Sequence, residues 1–243
     1  MIASLADVAA LEAGPYDQAL PARTTYGLIA AAARRHAGRT AFTYLPDGDP
    51  ATPPVRVSYA QLLANIHRAA NLFRSLGVGP DDAVAILAPN IPETQYALWG
   101  AQVAGRACPI NFLLQPDHIA ALLKAAGAKL LVALGPNDEL DVWSTAQKVL
   151  ALHDIPVLRI APGHFEQLQT QPEQLVFDPA LTPDRIAAFF HTGGTTGAPK
   201  LAQHTHGNEA HTGWFAHHYY GFDEHTVEVN GFPLFHVAGA FVY

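Results

Sequence analysis

Short apolar runs alternate with stretches of helical periodicity along most of the chain. The run at 82–88 is almost wholly apolar, as expected of a strand covered on both faces. Helices are predicted at 26–36, 59–76, 91–103, 116–126, 140–152 and 207–220. Strands are predicted at 40–44, 82–88, 107–111, 129–134, 156–160, 186–190 and 227–231. This alternation predicts βαβ crossovers, and therefore an α/β fold of mainly parallel sheets with flanking helices in layered βα subdomains.

Residues at the expected helix ends support two of these predictions. Ser58 and Gln61 have the spacing of a capping box before the helix at 59–76. Asn90 is a suitable cap for the next helix, with Pro92 in its first turn, and Gly105 ends that helix.

The pattern divides the chain into four parts. Residues 1–24 are expected to form a loosely ordered arm, because they mix small, apolar and polar residues with prolines. Residues 25–160 carry the βα alternation, and 161–185 are a Gln- and Pro-rich surface connection. Residues 186–243 carry the chemically informative motifs.

Composition and charge restrict the class of protein. A chain of 243 residues with 49% hydrophobic content can bury a substantial core. The formal net charge is −7 and no Lys/Arg-rich run occurs, so nucleic acid is not expected as a partner. Cys108 is the only cysteine, which suits a reducing compartment. With neither a secretory signal nor a transmembrane segment in the sequence, we expect a cytoplasmic protein.

One motif stands out where the strand predicted at 186–190 ends. Its glycines let backbone N–H groups approach an anion, its threonines add hydroxyl donors, and Lys200 adds a positive charge. Pro199 and Leu201 flank that lysine, which disfavours the ordinary P-loop of kinases and GTPases. The predicted polyphosphate-binding residues are Thr192, Gly193, Gly194, Thr195, Thr196, Gly197 and Lys200.

The segment from His191 to Lys200 resembles the signature loop of the adenylate-forming (AMP-binding) enzymes, which include acyl-CoA synthetases, peptide-synthetase adenylation domains and luciferases. The usual loop has Tyr and Ser where this chain has His191 and Gly193. A second segment, 232–239, is similar to the family's Pro-Leu-Phe-His segment, which lines the pocket for the carboxylate substrate.

The resemblance implies an AMP-forming acyl-CoA synthetase, an acid–thiol ligase. ATP and a carboxylic acid would give an acyl-adenylate, with Mg²⁺ bridging phosphates, and coenzyme A would then take the acyl group. Lys200, Thr192 and His236 would be catalytic, and His236, Val237 and Gly239 would border the acid. A buried, hydrogen-bonded histidine is the alternative for His236.

The acid itself is left open by the sequence. Aromatic and apolar residues near the second motif suggest a fatty or other apolar acid, although aromatic residues at helical spacing are more often core: Trp214, Phe215, Phe235 and Val237. No protein-held metal site is expected, because His204, His206, His217 and His218 lack a carboxylate or cysteine at a familiar ligand spacing. The oligomeric state is also left open.

The resemblance also bears on completeness, because family members continue well past the second motif. The chain is therefore expected to be the N-terminal part of the large domain and to be inactive alone. Two alternatives remain: a nucleotide-binding module without turnover, and a ligase that passes the acyl group to a carrier protein or an amine.

Both motifs follow predicted strands. We therefore expect them to converge on one cleft at the carboxyl ends of the strands in the sheet.

Overall fold

The computed structural model describes residues 3–13, 20–47, 49–192 and 200–242, and it confirms the α/β fold. The helices are α1 (Leu5–Glu12), α2 (Thr25–His36), α3 (Tyr59–Ser75), α4 (Pro92–Ala104), α5 (Pro116–Ala126), α6 (Val142–Leu152) and α7 (His206–Tyr220). The strands are β1 (Thr40–Tyr44), β2 (Val55–Ser58), β3 (Ala83–Leu87), β4 (Arg106–Pro109), β5 (Ala128–Leu134), β6 (Val157–Ala161), β7 (His164–Phe165), β8 (Ile186–His191) and β9 (Leu201–Thr205). A 3₁₀ turn spans Leu168–Thr170 and a π-helical turn spans Ala238–Val242.

A mostly parallel seven-stranded sheet organises the fold, in the order β7-β6-β5-β3-β4-β8-β9. The five inner strands run parallel, and β7 and β9 are antiparallel edge strands. Strands β1 and β2 form a separate antiparallel pair. Because β3, β4 and β8 are parallel neighbours, their carboxyl ends lie side by side at one edge of the sheet, where ligands bind in open α/β sheets.

The core lies between the central strands and the helices that flank them. Every residue of β3 is buried, as its apolar sequence predicts. Ile66, Phe73, Leu98 and Leu131 are among the large side chains with almost no exposed surface, and each contributes about 1.5–3 kcal/mol through burial. Within the described ranges, no helix combines the length and apolar character required to span a bilayer.

The predicted capping box is confirmed, whereas the predicted cap at Asn90 is wrong. The Ser58 hydroxyl accepts a hydrogen bond from Gln61 N at 3.2 Å, and Ser58 N donates to Gln61 Oε1 at 2.9 Å. Helix α4 begins after Ile91, without a side-chain cap. The Asn90 amide instead makes contacts with the second motif, which are described below.

The structure differs from the sequence predictions elsewhere as well, and the short strands β2 and β7 were not predicted. Helix α1 lies within the predicted loosely ordered arm. Strand β9 was not predicted, because its sequence LAQHT has little apolar character. The predicted strand at 227–231 is wrong: Val227 and Val229 are 91% and 95% exposed, and no described strand pairs with them.

The connection at 161–185 is held to the core by one buried asparagine of α3. Asn71 Nδ2 donates to Pro172 O at 3.1 Å and to Gln174 O at 2.8 Å. Its Oδ1 accepts from Val176 N at 3.1 Å. A single amide thus satisfies three backbone groups of the connection.

The division of the chain into subdomains stays a prediction.

A buried polar cluster joins the start of α7 to α2. Thr25 Oγ1 donates to Glu209 Oε2 at 3.1 Å and lies 3.4 Å from His206 Nδ1. Burial raises the pKa of Glu209 to about 8. Burial, with the Arg185 charge as a smaller cause, lowers the pKa of His206 to about 4. Both groups are therefore held neutral at the pH where the protein is expected to work.

The close approach of α3 and α4 gives the first prediction. A Cβ atom on Gly100 would lie 2.6 Å from Ala69 Cβ and 3.2 Å from Ile66 O. Gly100→Ala is therefore expected to force the helices apart and to lower the free energy of unfolding by about 1–3 kcal/mol. Gly213→Ala on α7 is the control, because nothing lies within 4 Å of its Cβ position. Urea denaturation of both variants tests this, and equal stability of the two would contradict it.

The buried carboxyl of Glu209 gives a pH prediction. The pKa of Glu209 is about 8 in the folded protein, against an ordinary value of 4.5, so its contribution to stability is complete below pH 4.5 and is lost as pH rises through 8. Because the lowered pKa of His206 gives a stability slope of opposite sign below pH 6.5, denaturation should show the loss mainly between pH 6.5 and 8, where it amounts to about 2 kcal/mol. Glu209→Gln should remove most of that slope, while Glu228→Gln, at an exposed position, should keep it. A wild-type slope that persists in Glu209→Gln would assign the effect to another group.

Candidate active site

The predicted phosphate loop lies in the sequence between β8 and β9, which pair as an antiparallel hairpin. His191 lies opposite Leu201, and Thr192 N donates to Lys200 O at 3.0 Å. These contacts bring the two ends of the loop together at the carboxyl end of β8. The predicted loop residues Gly193, Gly194, Thr195, Thr196 and Gly197 lie outside the described part of the chain.

Thr192 and Lys200 lie at the two ends of that loop, and both are exposed. Because the hairpin bond occupies Thr192 N–H, the donor that Thr192 would offer a ligand is its hydroxyl. A hydroxyl and an ammonium group at the base of a Gly/Thr loop suit binding of phosphate oxygens. Their roles remain predictions.

The second motif folds into a compact turn around His236. His236 N donates to Pro233 O at 3.0 Å, and Gly239 N donates to His236 O at 3.0 Å. Ala238 N donates to His236 Nδ1 at 3.2 Å. Since Nδ1 is the acceptor, the neutral ring carries its hydrogen on Nε2. The alternative for His236 was a buried, hydrogen-bonded histidine: the hydrogen bond is present, but the side chain is exposed and not buried.

The remaining residues assigned to the acid also lie in this turn. Val237 is half-buried and packs against the core. Gly239 is buried, and a Cβ atom there would lie 2.6 Å from Phe232 O. Gly239 O accepts from Asn230 Nδ2 at 2.8 Å. The small size of Gly239 thus lets the turn close on itself, and its expected place beside the acid stays a prediction.

The side chain of Asn90, which follows β3, hydrogen-bonds the second motif at the carboxyl end of that strand. Its Nδ2 donates to Phe232 O at 2.8 Å, and its Oδ1 accepts from Leu234 N at 2.9 Å. A single side chain thus binds a donor and an acceptor of the motif. Asn90 therefore fixes the start of the second motif relative to β3.

Aromatic contacts connect the same segment to β4 and β8. The rings of His191 and Phe235 stack, with centroids 6.3 Å apart and planes 28° apart. Phe112, after β4, meets Phe235 edge-on at 5.7 Å. Asn111 N donates to His191 Nε2 at 3.1 Å. The residue before the phosphate loop thus contacts the second motif directly, although the second motif does not follow a strand as expected. Their convergence on one cleft stays a prediction.

The imidazoles at this edge influence one another. Burial lowers the pKa of His191 most, and His118 and His236 lower it further. His191 is half-buried, and His118 lies on α5. The site thus places the His191 imidazole, whose pKa is lowered, near the base of the loop that ends at the Lys200 ammonium, and the ammonium suits anionic ligands.

The described contacts offer no ligand set for a resident magnesium ion. The side chains that join the two motifs carry hydroxyl, amide, imidazole and ammonium groups, and none is a carboxylate, which Mg²⁺ prefers. Across the described ranges, no cluster of three His, Cys, Asp or Glu residues could hold a metal.

Two surface cavities lie apart from the residues assigned to the site. One of about 360 Å³ includes Arg23, Asp184 and His211 in its lining. The other, of about 410 Å³, is lined in part by Arg74 and Arg185. Neither lining includes Thr192, Lys200 or any residue of the second motif.

The residues that join the two motifs were not predicted from the sequence: Asn90, Asn111, Phe112 and His191 as a contact residue. One signal was available for His191, since it is a polar residue at the end of a buried strand and departs from the usual loop. Asn90 had an equally plausible use as a helix cap. Asn111 acts through its backbone, which carries no sequence signal.

Curated relatives of this chain are CoA ligases. The marinolic acid–CoA ligase of Pseudoalteromonas sp. (strain SANK 73390) is 35% identical over 214 residues, which covers 84% of this chain and 33% of the relative. The crotonobetaine/carnitine–CoA ligase of Salmonella arizonae is 34% identical over 188 residues, which covers 74% of this chain and 36% of the relative. The chain therefore spans about a third of the length of these relatives.

Solved structures share its fold. The benzoate CoA ligase of Burkholderia xenovorans has a TM-score of 0.73 at 22% identity, with 87% of this chain and 40% of that chain covered. The O-succinylbenzoate coenzyme A synthetase of Bacillus subtilis, in complex with AMP, has a TM-score of 0.72 at 22% identity and covers 89% and 51%. A putative long-chain-fatty-acid CoA ligase of Rhodopseudomonas palustris has a TM-score of 0.73 at 25% identity and covers 90% and 53%.

The sequence motifs, the geometry at the sheet edge and these relatives agree with a family model that matches most of the chain. The model of the AMP-binding enzyme family covers residues 29–243, which includes both the phosphate loop and the second motif. This chain belongs to the AMP-binding enzyme family.

Proposed function

We propose that this chain forms the phosphate-loop part of an AMP-forming acyl-CoA synthetase. The proposed reaction joins a carboxylic acid to the α-phosphate of ATP with release of pyrophosphate. Coenzyme A then attacks the acyl-adenylate and displaces AMP. Family membership and the names of the curated relatives, which are CoA ligases, support this class of reaction.

One observation carries the proposal: the stack of His191 on Phe235 brings the base of the phosphate loop against the acid-binding motif. An acyl-adenylate forms only if the carboxylate and the α-phosphate meet at one place. The contact between the base of the loop and the second motif supports such an arrangement.

Each described residue has a simple task in this proposal. The Lys200 ammonium and the Thr192 hydroxyl bind phosphate oxygens and offset negative charge as pyrophosphate leaves. The His236 Nε2–H donates a hydrogen bond to a carboxylate oxygen of the acid, because Nδ1 is engaged by Ala238 N. Val237 would contact the apolar part of the acid from the same turn.

The substrates follow from the reaction class. ATP, coenzyme A and a fatty or other apolar acid are the proposed substrates, with Phe112 and Phe235 as aromatic surface near the motif. Magnesium enters this proposal only as an ion carried by the phosphates of ATP. The cytoplasmic location stays a prediction.

The first functional prediction concerns Lys200. In the complete product of the gene, Lys200→Ala should lower kcat/KM for acid-dependent AMP formation roughly 10- to 100-fold, since a charge-assisted hydrogen bond is lost. Lys129→Ala is the control, because Lys129 pairs with Asp82 at the amino ends of the strands, away from the proposed site. AMP formation would be measured over a panel of fatty and aromatic acids, with circular dichroism to check folding. Equal activity in both variants would remove Lys200 from the site.

The second functional prediction concerns His236. His236→Ala should raise KM for the acid about tenfold and leave KM for ATP nearly unchanged, because only the carboxylate loses a donor. His236→Gln keeps an N–H and should recover part of the affinity, while His225→Ala, in an exposed loop, should match the wild type. A selective rise in KM for ATP would contradict this assignment.

A further inference from the structure

His191 occupies a position that the phosphate loop and the second motif share. It is the last residue of β8, and the next residue, Thr192, is hydrogen-bonded to Lys200 at the base of the loop. Its ring stacks on Phe235, next to His236. Any movement of this ring would therefore change the position of the acid-binding turn relative to the loop.

Three strand ends contribute to the anchoring of that turn, but in different ways. Asn90, after β3, binds backbone groups of Phe232 and Leu234 and does not titrate. Phe112, after β4, makes an edge contact with Phe235. His191, from β8, supplies both a ring surface and an acceptor nitrogen, and of these three side chains it alone titrates near neutral pH.

We propose that His191 is a positioning residue that holds the acid-binding turn at 232–239 in register with the phosphate loop, and that it does so as a neutral imidazole. The hydrogen bond from Asn111 N requires a lone pair on Nε2, so the hydrogen of the ring lies on Nδ1. Protonation would place a second N–H opposite Asn111 N–H and break that contact. That the turn binds an acid rests on the proposed function. The contact between His191 and the turn rests on the geometry alone.

Burial and the neighbouring titratable groups all lower the pKa of His191, and so favour its neutral form. His118 on α5 and His236 on the turn lower the pKa of His191, after burial, the larger cause. Lys200 precedes Leu201, the cross-strand neighbour of His191. With a folded pKa below 6.5, the neutral contact is complete above pH 6.5 and is lost as pH falls toward the lowered value.

This inference predicts a selective effect on the acid. In the complete gene product, His191→Phe keeps a ring but loses the acceptor, and should raise KM for the acid about three- to tenfold while KM for ATP changes less than twofold. His191→Gln offers a non-titrating acceptor, and should keep KM for the acid constant as pH falls below 6.5 toward the lowered pKa of His191, where the wild type weakens. His204→Phe is the control, since His204 is half-buried on β9 and contacts Phe190.

The pH profile separates this role from a direct effect of His236. His191→Gln removes the titrating ring at position 191 and leaves His236 in place, so the difference in pH dependence between wild type and His191→Gln isolates the role of His191. The same pH dependence of KM for the acid in wild type and His191→Gln, or equal changes in KM for ATP and acid in His191→Phe, would overturn the proposal.

A second measurement needs no substrate. Long-range ¹H–¹⁵N NMR of the 243-residue chain should show His191 as the Nδ1–H tautomer with a pKa below 6.5, and His236 as the Nε2–H tautomer. A His191 ring that titrates at or above 6.5, or that carries its hydrogen on Nε2, would overturn the proposal. If the gene product lacked ligase activity, the proposed function would fail, and this spectrum would still decide the role of His191.

Discussion

The parallel alignment of β3, β4 and β8 is the constraint on which the rest of the structure depends. These strands are parallel neighbours made mainly of buried apolar residues, and their carboxyl ends lie at one edge of the sheet. Asn90, Phe112 and His191 each lie at or just after one of these ends, and each contacts the segment 232–235. The site is thus a consequence of strand order more than of any single loop.

Hydrogen-bond needs of the backbone explain why polar residues occupy this edge. Strands end there, so N–H and C=O groups lose their ladder partners and must find others. Asn90 binds both a carbonyl and an amide of the second motif, and His191 accepts from Asn111 N. The same contacts that satisfy the backbone also bring the phosphate loop and the acid-binding turn together, so stability and the proposed chemistry share their residues.

The sequence predicts the elements well where burial alone determines them. Strand β3, helix α5 and the capping box at Ser58 follow from apolar runs and local signals, and the structure contains them. Strand β9 and the irregular segment around Val229 were beyond such arguments, since pairing depends on distant partners rather than on local pattern. The motifs were recognisable, but the contacts between them involve strand order, which no local pattern encodes.

We propose above all that this chain belongs to an enzyme that activates a carboxylic acid on ATP. Exchange of labelled pyrophosphate into ATP measures that step directly and needs no coenzyme A. The account predicts exchange by the complete gene product that depends on a fatty or other apolar acid. Absence of exchange across a broad panel of acids, with a folded protein that still binds ATP, would contradict the account and favour a nucleotide-binding module without turnover.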